Sequence, residues 1–186
     1  MSRFFFVLGV IFLVASGYLT WQRYTPTRLA LDAVVIPAVE EPRETVPTSV
    51  EIEDLGLALP VESRQMSGKK WPVSDKAVVY LSNSPIPGDQ GNSILYGHNW
   101  PNLLGRLTKI KPGAMISVGL SDATRRQFVV KYTQEVTPDQ THILAPTDDS
   151  RITLYTCSGF FDQKRFVVTA IAEGESTNLQ ISKSTN

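Results

Sequence analysis

Cysteine is nearly absent from this chain. Cys157 is the only one in 186 residues, so no internal disulfide can staple the fold. Histidine is scarce as well, limited to His98 and His142, and no Cys/His cluster has the spacing of a zinc site. Excess charge of one sign is missing: Lys plus Arg and Asp plus Glu both number 18. With no net field and no basic stripe, binding to nucleic acid is not expected. Helical periodicity is brief beyond the N-terminus, confined to Asn102–Ile110 through Leu103, Leu104, Leu107 and Ile110. No internal repeat is visible.

One long apolar run is present. Residues 4–21 read FFFVLGVIFLVASGYLTW without a charged side chain. As a helix this run rises about 27 Å, enough to cross a bilayer core with Trp21 and Tyr24 near the interface. A cleaved signal peptide is the competing reading. The apolar character persists past the usual length of such a peptide, and no Ala-x-Ala precedes a polar boundary, so residues 1–24 are read as an anchor. Arg3 lies on one side and Arg23 and Arg28 on the other, a weak charge bias. The expected location is the cell membrane, with a single span and an extracytoplasmic C-terminal domain.

Residues 25–51 are interrupted by Pro26, Pro37, Pro42 and Pro47, with Glu40, Glu41, Arg43 and Glu44 between them. Such spacing prevents a helix and discourages collapse, so an extended stalk is expected, with part of Leu29–Ile36 able to dock. A folded domain follows over 52–175, then a polar tail over 176–186. Short β-branched or aromatic segments bounded by Gly, Pro, Asn and Asp predict strands at Gly56–Val61, Asn92–Tyr96, Ala114–Gly119, Gln127–Val136, Arg151–Thr156 and Arg165–Ala172. Many strands with little helix between them imply an antiparallel barrel or sandwich. Gln65–Leu81 is the stretch read as irregular or missed structure.

Cys157 ends a strand before Ser158-Gly159. Alternation puts Ile152, Leu154 and Thr156 on one face and Tyr155 and Cys157 on the other, which favours partial exposure of the thiol. A lone cysteine is also a common inert core residue, and both readings stand on local grounds. The segment 158–164 suits a loop joining adjacent antiparallel strands, which returns Arg165 to the edge that holds Cys157. Its permanent charge suits it to hold a carbonyl or an oxyanion, not to carry a proton. His98 follows Ile94-Leu95-Tyr96-Gly97, whereas His142 sits in a polar stretch. His98 is therefore the better candidate base for a thiol.

The set Thr153-Leu154-Tyr155-Thr156-Cys157, then Arg165 opening a strand, with Gly97-His98 about sixty residues upstream, closely resembles the sortases, bacterial cysteine transpeptidases of the cell surface. Ile86-Pro87-Gly88 and Gly91-Asn92-Ser93-Ile94 before the histidine are similar to that family, as is Leu107, Ile110, Pro112-Gly113-Ala114 and Ile116 after it. The resemblance covers roughly 55–172 and implies a mostly β fold: a closed eight-stranded barrel with short helices behind one transmembrane helix. It implies Cys157 as nucleophile, His98 as acid/base partner, Arg165 as oxyanion or substrate-positioning group, and Thr156 lining the substrate groove. It implies cleavage of a Leu-Pro-x-Thr-Gly type sorting signal at the C-terminus of surface proteins, then transfer to an amine from a peptidoglycan precursor or a pilin. No metal or organic cofactor is implied. Two alternatives are an L,D-transpeptidase-like acyltransferase and a non-catalytic tethered β-domain. The first places Gly before its cysteine, whereas here glycine follows.

Overall fold

The computed structural model describes residues 2–23, 29–31, 45–66 and 71–173. An N-terminal helix, α1 (Ser2–Arg23), precedes eight strands. They are β1 (Pro47–Ile52), β2 (Leu57–Arg64), β3 (Val78–Leu81), β4 (Gly91–Tyr96), β5 (Met115–Leu120), β6 (Arg125–Val136), β7 (Ser150–Ser158) and β8 (Lys164–Ala172). They close into a barrel in the order β1-β2-β3-β4-β7-β8-β6-β5. Closure leaves no open sheet edge to pair with another chain. The pairs β2–β3 and β4–β7 are parallel, and the other pairs are antiparallel. The tail over 176–186 lies outside the described residues.

All six predicted strands are present. Two more complete the ring: β3, at the end of the stretch read as irregular or missed structure, and β1, which begins inside the stretch assigned to the stalk. The barrel therefore opens at Pro47, ahead of residue 52. Proline is tolerated there because it occupies the first position of its strand, and the buried Val50 and Ile52 alternate with the half-buried Ser49 and Glu51. The Asn102–Ile110 periodicity becomes a 3-10 helix over Leu104–Lys109, with Leu104 and Leu107 buried.

Two apolar clusters sandwich one wall of the barrel. The interior cluster draws on all eight strands and includes Val50, Leu57, Tyr80, Leu95, Val118, Phe128, Leu154 and Val168. The second takes the alternate residues of β3, β4, β7 and β8, among them Val79, Leu81, Ile94, Tyr96, Tyr155, Cys157 and Val167. Because successive side chains alternate across a strand, this second set lies on the outer face of the wall. It is covered by Leu29, Leu31, Met66, Trp71, Ile143 and Leu144. Strands β3 and β4 are consequently buried on both faces.

The helix α1 is apolar throughout, and none of Arg3–Trp21 is buried against the described residues. Its length and composition suffice to cross a bilayer.

Candidate active site

Strands β4 and β7 run in parallel with Tyr96 beside Tyr155, so both leave the sheet at the same edge. Two residues further on lie His98, just past the end of β4, and Cys157, still within β7. The Tyr96 and Tyr155 rings stack on the outer face, 5.2 Å apart. A step of two residues keeps the side chain on that face. Backbone bonding continues past β4, with the Gly97 N–H donating to the Tyr155 carbonyl at 3.2 Å. On the other flank Cys157 is the direct register partner of Arg165. Three residues remote in sequence therefore share one edge, Cys157 in the middle strand.

The supporting contacts fix each member. The Thr156 hydroxyl donates to the Gly97 carbonyl at 2.8 Å, tying the two strand ends together. Thr156 is fully buried and, by alternation, turns away from Cys157 toward the barrel interior. Its place is behind the site, and replacing it with Val should leave the Gly97 carbonyl without this donor at a cost of about 1–3 kcal/mol in unfolding free energy. A denaturant titration checks this. Gly97 itself admits no side chain freely, because a Cβ there would meet Leu104 Cδ1 at 3.2 Å.

The His98 ring stacks on Trp100 at 4.3 Å with a 7° interplanar angle. Its Nε2 lies 3.8 Å from Asp75 Oδ1, too long for a direct hydrogen bond but close enough for charge. Burial pushes the His98 pKa below the usual imidazole value, and the carboxylates of Asp75 and Asp162 oppose that shift. A depressed folded pKa means that the unfolded chain binds the proton more readily. Stability is therefore highest above about pH 6.5, the unfolded value, and falls as pH drops toward the folded one. Asp75→Asn removes an opposing charge, so the His98 midpoint in an NMR titration is expected to fall further.

Arg165 is buried, with 3% of its surface exposed. Its Nη1 donates to the carbonyls of Asp162 and Lys164, both at 3.0 Å, and its Nη2 to the Ala30 carbonyl at 2.9 Å. Its Nε has no hydrogen-bond partner among the described residues. Three of the five guanidinium N–H groups are thus used, and the Nε–H and one Nη2–H remain, on the residue in register with Cys157.

Cys157 is also buried, 3% exposed, contrary to the expected partial exposure. The reason lies far away in the chain. Residues 29–31 lie across the outer face, and three successive carbonyls each accept one side-chain donor. Leu29 accepts from the Tyr155 hydroxyl at 3.3 Å, Ala30 from Arg165, and Leu31 from Trp71 Nε1 at 3.2 Å. Both leucines are buried in the cluster that contains Cys157. Part of the expected stalk therefore docks as a strap over the thiol. Trp71 and Tyr155, not singled out from sequence as site residues, donate to the strap backbone. The loop 137–149 borders the same face through Ile143 and Leu144, held by Asn92 Nδ2 donating to the Ile143 carbonyl at 2.9 Å. His142 is exposed on that loop, apart from the Cys157 edge.

A sortase domain model matches residues 50–173. The chain belongs to the sortase family. Solved sortases share its barrel. Sortase C from Clostridium perfringens SM101 is 21% identical over 68% of this chain and 70% of its own, with a TM-score of 0.57. A Clostridium perfringens sortase D5 transpeptidase is 21% identical over 69% and 79%, with a TM-score of 0.59. Sortase A from Corynebacterium diphtheriae is 20% identical over 91% and 86%, with a TM-score of 0.62. Sortases of classes C, D and A match at similar scores, so the likeness is to the common barrel. A comparison with curated protein sequences gave no match. The sortase barrel accounts for the parallel β4–β7 pair that brings His98 alongside Cys157.

Proposed function

We propose that this sortase-type transpeptidase acts through Cys157, on surface proteins that carry a C-terminal sorting signal of the Leu-Pro-x-Thr-Gly type. The observation that carries the reading is the shared edge: a single thiol in register with a buried arginine and beside the one buried histidine. The Cys157 thiolate attacks the scissile carbonyl carbon, and the oxyanion that forms is held by Arg165 through Nε and Nη2. His98, protonated, gives its proton to the departing amine, leaving a thioester on Cys157. An incoming amine then loses a proton to His98, attacks the thioester and displaces the thiolate. The chemistry is complete with protein groups alone. The acceptor amine belongs to a peptidoglycan precursor or a pilin subunit, and α1 anchors the enzyme in the cell membrane with the barrel outside. The pattern of Gly after Cys157 disfavours the L,D-transpeptidase alternative.

The strap shapes this reading. The Ala30 carbonyl already holds one N–H of Arg165 Nη2, so a substrate carbonyl that uses this nitrogen competes with the strap. Burying one leucine contributes about 1.5–3 kcal/mol, and a tenfold change needs only about 1.4 kcal/mol. The double substitution Leu29→Ser/Leu31→Ser is therefore expected to speed alkylation of Cys157 by iodoacetamide at least roughly tenfold.

The test of the function is product analysis with a panel of Leu-Pro-x-Thr-Gly peptides, with and without hydroxylamine. Expected are an acyl adduct on Cys157 by mass spectrometry and a peptide hydroxamate ending at Thr. If no peptide yields either product with the strap variant, the reading fails.

A further inference from the structure

Outside α1, the exposed large apolar side chains among the described residues are Tyr132, Phe160 and Phe161. The two phenylalanines are adjacent, 77% and 44% exposed, with rings 4.2 Å apart in an edge-on pair. They sit in the turn between Cys157 and Arg165, on backbone that resists such display. Gly159, Phe161 and Asp162 all have positive φ, and a non-glycine residue in that region is sparsely populated unless its surroundings hold it there. Arg165 holds this one, through its bond to the Asp162 carbonyl. A rigid turn that presents two aromatic rings to water marks a surface meant to be covered.

The same guanidinium indicates what covers it. Arg165 Nη1 binds Asp162 in the phenylalanine turn, while Nη2 binds Ala30 in the strap. The turn and the strap therefore lie within one guanidinium of each other. From Leu29 back to Arg23, the last residue of α1, only residues 24–28 intervene. However they run, they span at most about 20 Å. If α1 crosses the bilayer, as proposed above, the rings are confined close to the headgroup layer. The α1 terminus carries its own Tyr18–Trp21 ring pair, the residue types enriched at that boundary.

We infer that the Phe160–Phe161 turn docks into the surface of the same bilayer that holds α1, so that the Cys157 edge faces the membrane. Two rings are too few to recruit a free protein. The tether changes the comparison, because docking becomes intramolecular and the effective concentration of lipid is set by a short linker. This inference rests on the anchor reading, and its test separates the two.

The full chain carrying Cys157→Ser, with one new cysteine at Phe160→Cys, is labelled with an environment-sensitive NBD dye. It is reconstituted in phosphatidylcholine–phosphatidylglycerol vesicles. A second protein carries the dye at Asp122→Cys, in the turn between β5 and β6. That turn is at the far end of the barrel, because β6 runs away from it and reaches Arg165 only at Val136. The position-160 dye should emit at shorter wavelength and be quenched by doxyl-labelled lipids, while the position-122 dye stays water-like. A chain that floats with vesicles but leaves both dyes water-like overturns the docking and spares the anchor. A chain that does not float overturns both. The Phe160→Ser/Phe161→Ser variant, with Cys157 intact, distinguishes lipid from substrate as the occupant. Loss of cleavage only for a peptide embedded in the same vesicle supports the inference. Equal loss for a soluble peptide assigns the rings to substrate and overturns it.

Discussion

Replacing Cys157 with Ala is expected to abolish sorting-peptide cleavage and leave the fold in place. Removal of the nucleophile from a covalent protease costs on the order of 10^6 in turnover, so the loss here should reach at least the order of 10^4. The stability change should be small, about 1 kcal/mol, the usual scale for a single core change. Tyr96, Tyr155, Trp71 and Val167 belong to the same buried cluster and remain in place. The two readouts must be taken together, because a thiol that serves only as packing gives the opposite pattern, with cleavage retained. Steady-state cleavage of a fluorogenic peptide and a thermal melt on the same sample provide both. Cys157→Ser should be equally inactive, because a hydroxyl at this position has no base strong enough to ionise it in the resting enzyme.

Arg165→Lys is expected to lower kcat by about 10^2 to 10^3, the usual effect of losing an oxyanion donor, with KM little changed. Lysine retains the charge but not the planar fork. In the native site the fork serves three carbonyls, on Asp162, Lys164 and Ala30, and still holds Nε in reserve. An ammonium cannot bind the turn carbonyls and also face the developing oxyanion. Some stability should also be lost, about 1–3 kcal/mol for carbonyls left without their donor. If Arg165 merely supports the turn, the melting temperature falls while kcat, measured well below it, stays. Alkylation of Cys157 by iodoacetamide offers a third readout. It should rise in Arg165→Lys, because the strap loses one of its three anchoring donors.

The candidate site was legible in the sequence through scarcity and through the motif that resembles the sortases. One cysteine and two histidines leave few combinations, and strand alternation placed Tyr155 and Cys157 on the face opposite Leu154. The sheet edge shared by Cys157 and Arg165 follows from a short loop between consecutive strands, a local feature. What could not be read is non-local. Burial of Cys157 comes from Leu29, Leu31, Ile143 and Leu144, and nothing in the composition of 29–31 says which surface it covers. Strand β1 was hidden for another reason. Its Pro47 and Glu51 match the proline- and glutamate-rich stretch before it, and its pairing partners lie on β2 and β5. Thr156 belongs to the motif that resembles the sortases, yet its task is to bond Gly97. Motif membership gave no indication of the direction in which that side chain points.

The strap also sets how far the enzyme can roam. With Leu29 seated, the leash from α1 is the five residues 24–28, at most about 20 Å long. With the strap displaced, the leash extends to Pro47, where β1 begins, and its contour grows to about 80 Å. Filling the groove and lengthening the leash are thus one event. An idle enzyme is held short. Under the proposed mechanism, an enzyme that takes hold of a carbonyl through Arg165 would gain the reach to carry its acyl group to an amine beyond the short leash.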